Sequence, residues 1–462
     1  MVPKYSQHYR ADWEKMADFK EWLQPVENDT SKAYFEIEDG TAVSIVNGIK
    51  GLLAEIKINL KKLIGIGTDN ASVMTGTNSG VHALLKNATG NDNLVLVRCV
   101  CHSLQLAMSH ASAETLPRNV EFLIRETYNW FSHSSNRRLF YKNMFQTING
   151  GSVPLTIPQM CNTRWISIEP AVCRILDQWI ELKTLFEIAR RDEHCYTAEI
   201  LYNMYNDPQN HLYLLYIRPI LQEVQVVNKL FESNDVDPTR LYNDLIGLVE
   251  SIGRRILNPT ARVDILTEDI ESYLDPKPYM GYAFETKLLE YNLQPNATNY
   301  LRQRCNNFTL KLVTELRSRL PVNFKILRNI VHIKWESLTS TVKFWNEVMQ
   351  YKDAADNNPF AELCEFAMSL ISLPHSNADV ERVFSQMSLV KTKLRNRLAV
   401  RTLNAILYVR FGLKRAGKCC YSYTVPDNVL RSIGTKEYYD SGSQPSTSAD
   451  VDEDEDLNIL FP

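Results

Sequence analysis

Leu63-Ile64-Gly65-Ile66-Gly67-Thr68, followed at once by Asp69-Asn70, is the stretch on which the reading of the fold turns. A short apolar run that stops abruptly at two polar residues predicts a buried β-strand. A turn of small polar residues comes next, then a helix near 78–87, and then Leu94-Val95-Leu96-Val97. That second run is continuously apolar, as interior parallel strands are. Strand, helix and strand within about 35 residues make a βαβ unit with a right-handed crossover. Asp69 then falls just beyond the carboxyl end of its strand, where open α/β sheets place their ligands.

From about 103 to 372 the period lengthens to that of helices, as in Ile217, Ile220, Leu221, Val224, Val227 and Leu230. Asp237-Pro238 predicts a helix start, with Leu241, Leu245 and Leu248 on its buried face. Helical patterning returns at 323–351 and at Phe360, Leu363, Ala367 and Leu370, stopping at Pro374. Ser376-Asn377-Ala378-Asp379 resembles a capping box and opens a helix with Val380, Val383, Phe384 and Met387, with Glu381 in its first turns. A further helix carries Val400, Leu403, Leu407 and Phe411 on one face and ends near Gly412. Beyond about 434 a Ser/Thr/Pro-rich, acidic composition predicts a disordered tail, residues 434–462.

The chain has 462 residues, 44% of them hydrophobic and 23% charged, which fits a folded globular protein and excludes collagen-like, coiled-coil and wholly disordered classes. Nine cysteines at irregular spacing argue for reduced thiols rather than a secreted disulfide framework. No leader-like N-terminal run and no stretch of about 18 apolar residues is present, so no membrane partner is expected. Gly-x-Ser-x-Gly, Walker A and dinucleotide fingerprints are absent. The net charge of −3 conceals an uneven distribution. Arg382 to Lys418 holds ten basic residues and no acid, whereas Glu437 to the end holds eight acids and no Lys or Arg. Lys391, Lys393, Arg395 and Arg397 are the densest cations, either a solvated face or a surface for a polyanion.

Four segments, in order, resemble the hAT superfamily of transposases and the host proteins descended from them. Ile66-Gly-Thr-Asp69-Asn70-Ala-Ser-Val-Met74 resembles the segment bearing the second catalytic Asp. Cys99-Val-Cys101-His102 resembles the family's Cys-x-x-His signature, and Thr163-Arg164-Trp165 its Arg-Trp signature. Leu373-Pro-His-Ser-Asn-Ala-Asp-Val-Glu381-Arg-Val-Phe-Ser385 resembles the C-terminal dimerisation region, whose Glu is the third catalytic carboxylate. The resemblance implies α/β architecture with predominant helix: an RNase H-like core interrupted by an all-helical insertion. It also implies metal-assisted phosphoryl transfer, in which three carboxylates hold two Mg²⁺ ions.

The pattern departs from the family at the N-terminus. Trp13 to Pro25 resembles the start of a zinc-finger module, yet no Cys precedes Cys99, so residues 1–32 read as a remnant without zinc ligands. Residues 33–102 read as the first part of an N-terminally truncated core, which the segment from Tyr34 to Ala42 joins at its third strand. The first catalytic Asp is missing unless Asp39 or Glu38, in a turn-like Glu-Asp-Gly, replaces it. The insertion is placed at 103–359 and the dimerisation region at 360–415.

Each candidate residue carries a plain reading beside the functional one. Asp69 is a turn or cap residue, or a vestigial metal ligand. Glu381 is a first-turn Glu favoured by the helix dipole, or the third carboxylate. Cys99, Cys101, His102 and His110 pack, with His102 holding the insertion to the core, or bind zinc; their spacing lacks the two separated pairs of a structural zinc site. Arg164 and Trp165 are a core pair or a base-stacking platform. The expected function is that of a domesticated or decayed hAT transposase, catalytically inactive, dimerising through the Val400, Leu403, Leu407 and Phe411 face. It is expected to bind DNA weakly, mostly without sequence preference, in the nucleus or otherwise in the cytoplasm, and with no cofactor or metal. The alternatives are an active Mg²⁺-dependent transposase and a nonfunctional element fragment.

Overall fold

The strand pair expected from the apolar runs forms: β3 (Gly65–Thr68) lies parallel to β4 (Val95–Arg98), in register Gly65↔Val95 to Thr68↔Arg98. This computed structural model describes residues 25–26, 29–33, 40–55, 57–159, 165–233, 237–335, 340–392, 395, 397–415 and 417–425. The expectations for residues 1–24, for the third strand at 34–39 with Glu38 and Asp39, for Arg164 and Lys393, and for the tail at 434–462 lie outside the described residues. Ahead of β3, β1 (Pro25–Val26) and β2 (Asp29–Ala33) form an antiparallel pair of their own. Among the described residues β3 has one strand neighbour, β4.

Helix α1 (Ala42–Glu55) starts where the Thr41 hydroxyl accepts the Ser44 N–H. A single helical turn, α2 (Ser72–Thr75), precedes α3 (Val81–Thr89), which stops at Gly90 in the left-handed conformation. Val46 of α1, Val81 and Leu85 of α3, and Leu94 make a small apolar cluster. The chain order is therefore helix, strand, helix, strand. Chain reversal between the parallel strands is supplied by α2 and α3.

From β4 the chain passes directly into α4 (Val100–Thr115), which buries Leu104, Ala107, Met108 and Ala111. The helical body continues as α5 (Arg118–Ser132), α6 (Ser135–Ile148), α7 (Glu169–Asp177), α8 (Trp179–Asp192), α9 (Tyr196–Asn206) and α10 (Pro208–Glu232). It is completed by α11 (Leu241–Arg254), α12 (Tyr282–Tyr291), α13 (Pro295–Arg319), α14 (Pro321–Val331), α15 (Thr341–Gln350) and α16 (Ala361–Ile371). One extended apolar core joins α4 to α16. Helix α10 runs through it with Leu212, Ile217, Ile220, Leu221 and Val224 fully buried, and α13 packs along α4.

Two details of the helical region differ from the sequence expectation. Asp237 does not cap a helix at Pro238: its carboxylate accepts the Thr239 N–H and hydroxyl in a tight turn, and α11 begins at Leu241. The region is also interrupted, since residues 255–281 form turns, the 3-10 helix Glu271–Tyr273 and one bridge between Leu257 and Leu274. Arg254 pins these turns by donating to the carbonyls of Ala261 and Val263.

The chain divides into two compact units, one ending at Arg382 and the other holding the residues from Val383 onward. The division falls within α17 (Ala378–Val390). In the second unit, Val390 packs with Leu403 and Leu407 of α18 (Val400–Arg415), flanked by Met387, Leu398, Ile406 and Phe411.

Candidate functional site

In the first unit, three of the segments singled out in the sequence, those around Gly67, Cys99 and Pro374, meet where β3 and β4 end. Gly65 and Gly67 alternate with Ile66 on β3, so both present a bare backbone to the same side. A Cβ on Gly67 would stand 2.7 Å from Pro374, and one on Gly65 2.6 Å from Leu373. The missing side chains therefore let Leu373-Pro374 lie directly on the strand, about 300 residues away in sequence. Tertiary packing, and not turn geometry, explains the Gly-x-Gly of this motif.

The next residues of that segment are held by hydrogen bonds. The Asn377 N–H donates to the Cys99 sulfur at 3.4 Å. The Ser376 hydroxyl donates to the carbonyl of Phe231 at 2.6 Å and accepts the Ala378 N–H that opens α17. Arg382 donates to the carbonyl of Glu232 at 2.7 Å. Phe231 and Glu232 end α10, whose last carbonyls have no partner inside their own helix. The Cys101 thiol donates one step further back, to the carbonyl of Asn228 at 3.7 Å. The capping-box-like sequence thus caps two helices: its own start and the distant end of α10.

Cys99 is the N-cap of α4 and is buried, as is Cys101 one residue on. The Cys101 side chain beside it and the backbone N–H groups of Asn377 and His102 hold Cys99 down to about 7 against the opposing effect of burial. The closeness of the two sulfurs, with burial, pushes Cys101 far up. The Glu381 carboxylate is close enough to raise both thiols electrostatically. His102 is half-buried on α4, and the insertion is tied down by its neighbours instead. Ser103 accepts from the Asn70 amide at 3.1 Å and Gln105 accepts the Ile166 N–H at 2.9 Å. Asn323 of α14 donates to the carbonyl of Arg98 at 2.6 Å.

Asp69 is exposed past the end of β3, and its Oδ1 accepts the Ala71 N–H at 3.1 Å, the turn-forming contact of the plain reading. Glu381 lies half-buried in the first turns of α17, its N–H donating to the Asn377 carbonyl. Among the described residues no three of His, Cys, Asp and Glu are grouped as metal ligands. Trp165 begins the 3-10 turn Trp165–Ile168, which the Gln105 contact fixes to α4. His110, on the outer side of α4, faces Glu315 and Arg319 of α13.

Of the basic residues, Lys391, Arg395 and Arg397 are exposed, whereas Arg382 is engaged with α10. Of the apolar face assigned to self-association, Leu403 is 5% and Leu407 8% exposed, both covered within the second unit by Val390, and Phe411 is half-buried beside them. Val400 lies in the first turn of α18. The uncovered apolar side chains are others. Leu363 and Phe366 of α16 are exposed while Cys364 and Ala367 face the core, and Val380, Val383 and Phe384 form an exposed stripe at helical spacing on α17. Gly65, Gly67, Ser376, Asn377 and Arg382 acquire roles that a catalytic reading of their motifs overlooks.

Residues 331–413 match the family model of the hAT family C-terminal dimerisation region. The chain therefore carries the dimerisation module of hAT transposase-like proteins, spanning α15, α16, α17 and most of α18. No curated protein matches the chain.

Proposed function

We propose that this chain is a hAT transposase-like protein that self-associates, contacts nucleic acid weakly through exposed cations, and no longer transfers strands. The observation that carries the reading is the dimerisation-region match, within which α16 and α17 leave Leu363, Phe366, Val380, Val383 and Phe384 uncovered. Apolar side chains in such numbers on a water-soluble module call for a partner surface, and a second copy supplies one of the same chemistry. The parallel pair β3–β4, with Asp69 past its end and Leu373-Pro374 on its face, supports an RNase H-like core as the ancestral architecture. Asp69 bonded to its own turn supports the loss of metal chemistry. The site of action on this reading is the nucleus, where DNA is.

Sedimentation of the full chain at tens of micromolar tests the association. A dimer is expected, with Phe366→Asp and Phe384→Asp shifting it to monomer while the helical signal in circular dichroism stays. A wild-type monomer across that range would refute self-association. A strand-nicking and strand-joining assay with Mg²⁺ or Mn²⁺ tests the rest: no product is expected, and product that Asp69→Ala abolishes would restore the active-transposase alternative.

A further inference from the structure

In the first unit, α14 turns two kinds of side chain to opposite sides. Asn323, Leu327 and Ile330, at four- and three-residue spacing, are buried. The Asn323 amide pins that side to the end of β4 by donating to the Arg98 carbonyl at 2.6 Å. Lys325, Arg328 and His332 are left on the other side, all exposed. No Asp or Glu occurs from Pro321 to Trp335, the next acid in the chain being Glu336. Among the described residues no carboxylate pairs with Lys325 or Arg328.

An open aromatic ring stands directly past this helix. Trp335 lies three residues beyond His332, within about 11 Å by chain length alone, and is 43% exposed. One face of its ring is backed by Phe344 of α15, with centroids 3.7 Å apart and planes 5° from parallel, and Phe344 meets Trp345 edge-on at 5.2 Å. The backbone there is fixed as well. Trp345 donates through Nε1 to the Ile333 carbonyl at 2.8 Å, and the Trp335 N–H donates to the Thr341 hydroxyl at 3.4 Å. Trp345 and Thr341 are both buried, so the platform is preformed and the ordering cost of using it is low.

Cations at helical spacing that lead to an open, backed indole face suit phosphates joined to an unstacked base. A duplex keeps its bases stacked on one another and offers Trp335 none; an acidic peptide would engage the cations and leave the ring idle. We propose that α14 and Trp335 bind single-stranded nucleic acid, with Lys325 and Arg328 on phosphates and a base on the free face of Trp335. The proposal rests on the nucleic-acid contact inferred above, and adds to it a strand-selective surface made of residues other than Lys391, Arg395 and Arg397.

The test measures anisotropy of a fluorescein-labelled oligothymidylate of about 20 nucleotides, and of a duplex of the same length, with the full-length chain. Trp335→Ala is expected to weaken single-strand binding about tenfold, within the range for losing one stacked base, and to leave duplex binding unchanged; Trp335→Phe recovers most of the loss. Lys325→Ala with Arg328→Ala, at exposed positions that place no burden on folding, should lower the log-log salt slope for the single strand by about 0.7 per cation engaged. Equal loss on single strand and duplex from Trp335→Ala, an unchanged slope in the Lys325 and Arg328 variant, or displacement of the oligonucleotide by poly-glutamate as readily as by unlabelled oligonucleotide would each overturn the proposal. Duplex binding that depends on Lys391, Arg395 and Arg397, with Trp335→Ala silent on the single strand, would sink this surface alone. Absence of binding to either form would sink the nucleic-acid reading along with it.

Discussion

Two glycines separated by one residue on β3 decide whether the C-terminal segment can reach the strand. Gly67→Ala would drive a methyl group into the Pro374 ring at 2.7 Å, and neither strand nor ring yields easily. The expected cost is about 1–3 kcal/mol, the range for overpacking, measured as a lowered midpoint in urea. Gly247→Ala is the internal control: it lies on the exposed side of α11 with nothing within 4 Å of the added methyl, so it should stabilise by about 0.5–1 kcal/mol. His211 offers a test by pH. Burial, with Lys287 nearby, holds its imidazole down to about 4, and the neutral ring stacks on Trp179 and hydrogen-bonds Tyr291. Between the ordinary value near 6.5 and about 4 the unfolded chain takes up a proton that the folded chain refuses, so stability falls as pH drops through that window. Wild type should lose up to about 1.4 kcal/mol per pH unit more than His211→Gln there, and parallel curves would show that His211 titrates normally.

At the scale of elements, the end of α10 depends on donors from far along the chain. Removing one through Ser376→Ala, or the other through Arg382→Gln, leaves a helix-end carbonyl without its partner. A loss of about 1 kcal/mol each is expected, readable as faster hydrogen exchange in the last turn of α10. The same elements show what the sequence could and could not reveal. β3 and β4 were legible because continuous apolar runs bounded by polar turns have few other readings. The true start of α11 was not, because Asp237 satisfies its own turn as readily as a helix end. The Leu403 and Leu407 face was correctly read as apolar, but periodicity marks a face and not its cover, and the cover is Val390 of the same unit. Gly65 and Gly67 gave no local signal of their purpose, since the atom each avoids lies in another motif.

For the molecule as a whole, the candidate site was legible as separate motifs, and the meeting of those around Gly67, Cys99 and Pro374 was not, because closure of a chain on itself leaves no trace in local spacing. The cations Lys391, Arg395 and Arg397 are exposed, so binding to duplex DNA should be salt-dependent, with a log-log slope of about 0.9 for each phosphate contact. Changing these three to Ala should flatten the slope by roughly that amount per cation engaged, and an unchanged slope would assign any binding to another surface. The seating of Leu373-Pro374 on β3 also dictates an order of events during synthesis. The strand leaves the ribosome hundreds of residues before the segment that covers it. At about 5–20 residues per second that interval is tens of seconds, in which the glycine side of the strand and the last carbonyls of α10 stand open. A nascent chain stopped at residue 370 should therefore be cut by protease near β3 and the end of α10, and one extended past residue 382 should resist.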